Sequence, residues 1–315
     1  MFTKSTLALA LAAALSTPLL LAPAAYAADP APATASAAET GKSMPAEQFE
    51  ASLKFQHGKI TLPNNIATLD LPPTFRYLPP EDTERVLVDA WGNPPGAKTL
   101  GMLFPSDVNP LSPTSWGVII TYNEDGHVKD DDADSIKYDE LLKDMQESTQ
   151  AGNEERKKLG YDAMTLVGWA ESPRYDKARH KFYWAKELAV EKDSRHSLNY
   201  NIRVLGRKGV LVLNAVAGMN QISQVKTGMK DVVAFTDFTK GNGYSDFDGS
   251  TDKVAEYGLA ALVAGGVAAK LGFFGKLLAL LLVAKKLVLV GLVAIGGAVA
   301  KLFGRKKKDA DSTQA

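Results

Sequence analysis

The sequence predicts an α+β fold, a mainly antiparallel sheet with a few covering helices, followed by C-terminal membrane helices. Three observations carry that expectation. Residues 164–171, 180–190, 197–206 and 209–217 are rich in β-branched and aromatic side chains and are separated by short polar turns, the pattern of an antiparallel meander. Tyr138, Leu141, Leu142 and Met145 fall on one helical stripe, and residues 221–235 supply a second helix able to cover one face of a sheet. From Tyr257 to Phe303 the chain is nearly all Leu, Val, Ala and Gly, interrupted by Lys270, Lys276, Lys285, Lys286 and Lys301.

At the N-terminus, residues 1–27 have the three parts of a secretory signal peptide. Lys4 is the positive start, residues 7–21 are the apolar run, and Ala25-Tyr26-Ala27 is a small-residue cleavage site, which makes Ala28 the expected first residue of the mature chain. Residues 28–46 are rich in Ala, Pro, Ser and Thr and read as a flexible linker with little to bury. An exported α+β domain is expected over residues 47–250. Within it, residues 59–62 and 67–71 flank Pro63-Asn64-Asn65 as a hairpin. Pro79, Pro80, Glu81 and Asp82 open a helix that continues through Val86, Leu87 and Ala90 and stops at Gly92, Pro94 and Pro95. Residues 99–104 and 116–122 are strand candidates. The helix beginning near Tyr138 runs on through a charged stretch and ends near Gly160.

Charge divides the chain and excludes some partners. The net charge is zero, yet residues 28–253 hold 26 Lys and Arg against 33 Asp and Glu, whereas residues 254–315 hold 9 against 3. An acidic domain joined to a basic apolar tail lacks the concentrated basic face of a nucleic-acid binder. No cysteine is present, so disulfides, thiolate nucleophiles and Cys-ligated metals are excluded and the domain must rely on its core.

Residues 251–304 are expected to anchor the protein in a membrane, and residues 305–315 to form a basic, then polar, tail. The clean apolar run 287–300 spans about 21 Å as a helix, short of the roughly 30 Å hydrocarbon core, but snorkelling lysines at 286 and 301 extend its reach. A hairpin turning at Lys285-Lys286 is the competing topology. Arg305, Lys306, Lys307 and Lys308 are expected to stay cytoplasmic, which favours an odd number of crossings. Together the two ends predict a membrane-anchored protein with its main domain on the extracytoplasmic side, in contact with membrane lipid.

The stretches GKITLPNNIATLDLPPTFRYLPPEDTERVLVDAWGNPPG, SWGVIITYNEDGHVKDDDADSIKYDELL and NYNIRVLGRKGVLVLNAVAG, with the apolar tail, closely resemble a bacterial family catalogued as domain of unknown function 2167. The resemblance covers roughly residues 50–308. It implies a bacterial envelope protein with a C-terminal anchor, so that the expected membrane is the bacterial inner membrane and the expected partner an envelope protein, and it transfers no catalytic or binding residue.

No familiar catalytic motif stands out. Asp130, Asp132 and Asp134 suggest a calcium loop, but Ser135 sits where an EF-hand needs Gly and Leu141 where it needs Glu; a solvated loop is the plainer reading. No cofactor is implied. The four histidines are dispersed, and of them His180 and His196 are the pair able to meet if their strands adjoin. Trp169, Tyr175, Tyr183 and Trp184 lie on neighbouring expected strands, where cross-strand packing explains them best and an exposed aromatic binding patch is the sharper alternative. Three functions remain open: a tethered partner- or ligand-binding domain, which is favoured; an envelope hydrolase using carboxylates or the His180/His196 pair; and helix association or membrane remodelling by the tail.

Overall fold

The computed structural model describes residues 45–264. The expected signal peptide, most of the expected linker, the apolar segment beyond residue 264 and the Arg305, Lys306, Lys307 and Lys308 cluster lie outside the described residues. No helix among the described residues is long and apolar enough to cross a membrane.

The fold is α+β with antiparallel sheets. After a short helix α1 (Ala46–Ala51), strands β1 (Lys59–Thr61) and β2 (Ala67–Asp70) form the expected hairpin. Its turn places Asn64 at φ 59° and Asn65 at φ 53°, a left-handed backbone that asparagine tolerates better than most residues. Strand β3 (Phe75–Leu78) and helix α2 (Pro80–Arg85) follow, and α2 widens into a π-helical turn over Val86–Ala90. The chain continues through β4 (Met102–Pro105), β5 (Gly117–Asn123) and helix α3 (Tyr138–Lys158). The meander comprises β6 (Met164–Asp176), β7 (Lys181–Val190), β8 (Asp193–Leu205) and β9 (Val210–Gly218). Helix α4 (Ile222–Ala234), strand β10 (Thr236–Phe238) and helix α5 (Leu259–Ala264) complete the described chain.

Seven strands form one antiparallel sheet in the order β3-β4-β5-β9-β8-β7-β6. A second sheet, β1-β2-β10, pairs β2 with a strand from the far end of the domain. Strand β6 outruns its expected end at residue 171. Register shifts between Leu166 and Gly168, Trp169 and Glu171, and Glu171 and Arg174 absorb the irregular stretch around Pro173, which is tolerated because β6 is an edge strand. The connections that flank β7 are correspondingly short, residues 177–180 and 191–192.

The two faces of the large sheet are covered differently. On one, Val118, Ile120, Tyr183, Tyr200, Ile202, Leu211 and Leu213 pack with Leu69 of the small sheet and with Val225, Met229 and Val232 of α4 in a continuous apolar core. The other face carries two separate clusters. Leu78, Val86, Leu87, Met102, Phe104 and Ile119 gather at the β3–β5 end. Met145 of α3, with Met164, Leu166, Phe182, Trp184, Leu259, Leu262 and Val263, gathers at the β6–β7 end. Asn153 fixes α3 to the edge strand by donating to the Met164 carbonyl at 2.9 Å and accepting from its N–H at 2.8 Å.

Residues 251–264 pack on this unit rather than trailing from it. The Asp252 carboxylate pairs with Arg207 at 2.6 Å, and the backbone of His127 exchanges hydrogen bonds with Lys253 and Ala255, both at 2.8 Å. The start of α5 is capped by Asp132, whose two oxygens accept from the N–H groups of Leu259 at 3.0 Å and Ala260 at 3.3 Å. Fully burying one such aliphatic side chain contributes about 1.5–3 kcal/mol. A fragment spanning 45–250 is therefore expected to be less stable than one spanning 45–264 by at least about 3 kcal/mol, measured by urea denaturation. The β8–β9 turn offers a second check. A Cβ on Gly209 would lie 2.1 Å from the Asn123 carbonyl oxygen, so Gly209→Ala should cost about 1–3 kcal/mol through overpacking, read as a lower urea midpoint.

Candidate functional site: a buried polar strip

Between the two apolar clusters, the central strands turn polar side chains to the same face. Side chains directly opposite in an antiparallel ladder share a face, so the register defines two rows. One runs Trp169–Lys186–Asn199 across β6, β7 and β8. The next runs Trp184–Asn201–Asn214 across β7, β8 and β9, with Arg203 two residues along β8 from Asn201. Lys186, Asn199, Asn201 and Trp184 are buried to between 1 and 3 % exposure, and Asn214 to 8 %. Arg203 is half-buried, the most accessible of the cations in the strip.

A directional ladder of hydrogen bonds organises these groups. The Arg203 guanidinium only donates, and it gives a hydrogen bond to Asn201 Oδ1 at 3.2 Å. The amide nitrogen of Asn201 must then donate, and it does so to Asn199 Oδ1 at 2.6 Å. That leaves the Asn199 Nδ2 amide as the open end, without an acceptor among the described residues. The indole N–H groups of Trp169 and Trp184 are likewise buried without a partner there, as is Asn214 Oδ1. Buried polar atoms are paired in the great majority of cases, so three open donors around two cations are a concentrated exception.

The cations feel their setting. Burial, followed by repulsion from Arg203, pushes the Lys186 ammonium down to about 7. Burial lowers Arg203 to about 10, opposed by the Tyr257 phenol, which itself donates to Asp125 Oδ2 at 2.6 Å. The guanidinium also sits 4.9 Å from the centre of the Trp184 ring, a cation–π contact.

A second polar group lies outside the strip. Asp130 accepts from the hydroxyls of Tyr175 at 2.8 Å and Tyr244 at 3.2 Å, and the His180 ring nitrogen lies 3.6 Å from it. Burial alone would push the Asp130 carboxyl up, but the hydrogen bonds from Tyr175 and Tyr244 and the nearby histidine outweigh it and hold the group below its usual range. Phe247, His127, Tyr244 and His180 stack in a column, with successive centroids 4.0, 4.3 and 3.9 Å apart. Both oxygens of Asp130 are thus taken by tyrosines, and the group ties the 240s loop to the β6–β7 turn.

Each residue singled out from sequence has a definite place. Trp169 and Trp184 border the polar strip, and Tyr175 joins Asp130. Tyr183 faces the opposite core beneath the Arg174 guanidinium, 3.9 Å from its ring centre. The four aromatics therefore divide between the two faces because neighbouring residues of a strand point in opposite directions. His180 and His196 do not meet. They stand at opposite ends of the β7–β8 pair, on the order of 25–30 Å apart at the usual strand rise. His196 pairs instead with Glu187. Of the acidic loop, Asp130 serves the tyrosines, Asp132 caps α5, and Asp134 is exposed; no group of three or more potential ligands able to hold a metal occurs among the described residues. A shallow cleft of about 280 Å³ between this loop, α3 and Ala260 lies away from the strip. Sequence reading missed Lys186, Asn199, Asn201, Arg203 and Asn214. The available signal was polar residues at alternate positions of an otherwise apolar strand, Asn199, Asn201 and Arg203.

The Lys186 shift has a measurable consequence. Its ammonium loses its proton at about 7 in the fold against 10.5 in the unfolded chain. Between these values the unfolded chain binds more protons, so this group makes stability rise with pH across that window. Lys186→Met should flatten the rise, seen as a smaller difference between urea midpoints at about pH 7 and about pH 9.

Comparison with known proteins gives a family and distant likenesses of fold. The family model described as "Protein of unknown function (DUF2167)" matches residues 54–296. No curated protein matches the chain. The cyanobacterial PsbP protein CyanoP from Synechocystis sp. PCC 6803 is 10 % identical, with 65 % of this chain and 99 % of that one covered at a TM-score of 0.32. The Ran-binding protein Mog1p of Saccharomyces cerevisiae is 11 % identical, with 62 % and 100 % covered at a TM-score of 0.32.

Proposed function

This chain belongs to the family of unknown function DUF2167, and from that premise we propose that it is a binding module of the bacterial envelope, tethered to the inner membrane by its apolar C-terminal segment. The observation that carries the binding reading is the buried polar strip, whose donors at Trp169, Trp184 and Asn199 are left open on a rigid sheet floor. Elements buried on both faces hold such groups in fixed geometry, as a recognition site requires and as a mobile loop does not. The tether reading draws on the signal peptide, the apolar run and the basic cluster of the sequence.

The hydrolase alternative loses its histidine pair, because His180 and His196 sit at opposite ends of the meander and each faces its own carboxylate. Of these two acid–histidine pairs, Asp130 and His180 are locked in a tyrosine-bonded group.

Reporter fusions test the topology: one at Asp252 should read as exported and one at Ala315 as cytoplasmic. Two exported readings would favour the hairpin. Binding is tested by photocrosslinking in intact cells from a probe at Thr121, which lies beside the strip opposite Val212. A discrete adduct that disappears in the Arg203→Ala variant is expected, and the absence of any adduct would count against a binding module.

A further inference from the structure

We propose that residues 243–256 form an acid-released strap, docked on the neutral ring of His127 and freed when that ring takes up a proton. The device is built into the fold and stands without the binding reading; only its bearing on the anchor rests on the tether reading. His127 holds the strap at three points. Its N–H donates to the Lys253 carbonyl and its carbonyl accepts from the Ala255 N–H, both at 2.8 Å, which sets it beside Val254 in a parallel bridge. Its ring lies between those of Tyr244 and Phe247, with centroids 4.3 and 4.0 Å away. The seat is close: a Cβ on Gly126 would lie 2.7 Å from the Lys253 carbonyl oxygen. His127 is 6 % exposed, and its Nδ1 has no hydrogen-bond partner among the described residues. A bare Nδ1 belongs to a neutral imidazole whose one N–H is on Nε2. A proton taken up there adds a charge and an N–H donor to a buried place that offers the donor no acceptor.

The charges around the ring agree with this direction. Burial lowers His127 from its ordinary 6.5, against the pull of the Gly206 and Arg207 backbone in the β8–β9 turn, of Asp130 on its own loop and of Asp252 on the strap. Both carboxyls are held below the usual carboxylate range and Arg207 above its own, so all three stay charged from mildly acid to neutral pH. Lys208 also lies 3.9 Å from Asp252. Burial raises the Tyr244 phenol, which stays neutral. His180 stacks on Tyr244 and stands 3.6 Å from Asp130, so a proton on it tightens that end of the column instead of opening it. The docked strap thus binds fewer protons than the freed one. Its docking is constant above about pH 6.5 and weakens below it, by up to about tenfold per pH unit until the lowered value is reached. On the tether reading the strap belongs to the joint between domain and anchor. Its release leaves the Asp132 cap of α5 and the Tyr257–Asp125 bond to hold that joint.

The test is amide hydrogen exchange, read by mass spectrometry on the full-length mature protein at about pH 7.5 and about pH 5 and corrected for the intrinsic change in exchange rate. Peptides spanning 243–256 should lose protection by about fivefold or more at the lower pH, while peptides from β8 and β9 keep theirs. His127→Phe keeps a ring between Tyr244 and Phe247 but has no proton to gain, so its strap should stay equally protected at both values. His180→Gln should retain the acid response. A strap unchanged at pH 5 in the unaltered protein overturns the proposal, as does a His127→Phe strap that opens as far as the unaltered one, or a response lost in His180→Gln. Should His127→Phe fail to fold, exchange at the imidazole C2 positions of the unaltered protein decides. His127 must then titrate below 6.5, over the range in which the strap loosens, and titration at 6.5 or above overturns the switch. The reporter fusions judge the tether separately: if they fail while the strap still loosens, the switch stands and its bearing on the anchor falls.

Discussion

The constraint on which the rest of this structure depends is the two-sided burial of its central strands. Eight of the nine residues of β9 are buried, and Asn199, Tyr200, Asn201 and Ile202 of β8 are each exposed by 3 % or less. A strand buried on both faces needs two covers, and the fold obtains them by different means. One face is sealed by α4 and a small sheet whose strands come from both ends of the domain. The other carries apolar clusters at its flanks, one with Val86 and Leu87, the other with α3 and α5. The polar strip occupies the interval between those two apolar clusters. Its charges are therefore flanked by low-dielectric walls, which strengthens each interaction made there and makes each unmade one expensive.

Much of this architecture was legible in the sequence. The meander could be read from β-branched runs parted by polar turns, and the β1–β2 hairpin from Asn64 and Asn65, because backbone preference and turn chemistry act locally. Strands β3 and β10 were not legible as such. Each is only a few residues long, and β10 exists because β2 offers it a ladder, a long-range circumstance that no local pattern records. The extent of β6 was hidden for a related reason: its bulges break the period-two alternation around Pro173.

The candidate site was less legible than the fold. Asn199, Asn201 and Arg203 alternate along β8, but alternation of polar residues ordinarily marks a solvent-facing side of a strand. Their burial follows from register with β7 and β9 and from the clusters on either flank, all tertiary facts. The aromatic residues illustrate the same limit. Trp184 and Tyr183 are adjacent in sequence, yet one borders the strip and the other packs in the opposite core. The acidic loop read as a solvated prelude to α3, whereas Asp132 caps a helix that begins more than a hundred residues later.

The small sheet has a consequence for the order in which the molecule assembles. Its middle strand, β2, is made early in synthesis, while one of its partners, β10, emerges only after the whole meander. Contacts so distant along the chain reward the loop-closure entropy late, and domains dominated by them fold on the slower scale of milliseconds to seconds. For a chain that leaves its ribosome N-terminus first, the β1–β2 hairpin must wait with one ladder edge unpaired until β10 arrives. That edge is a ready template for another strand, so the interval before β10 docks is when this protein is most exposed to mispairing with its neighbours.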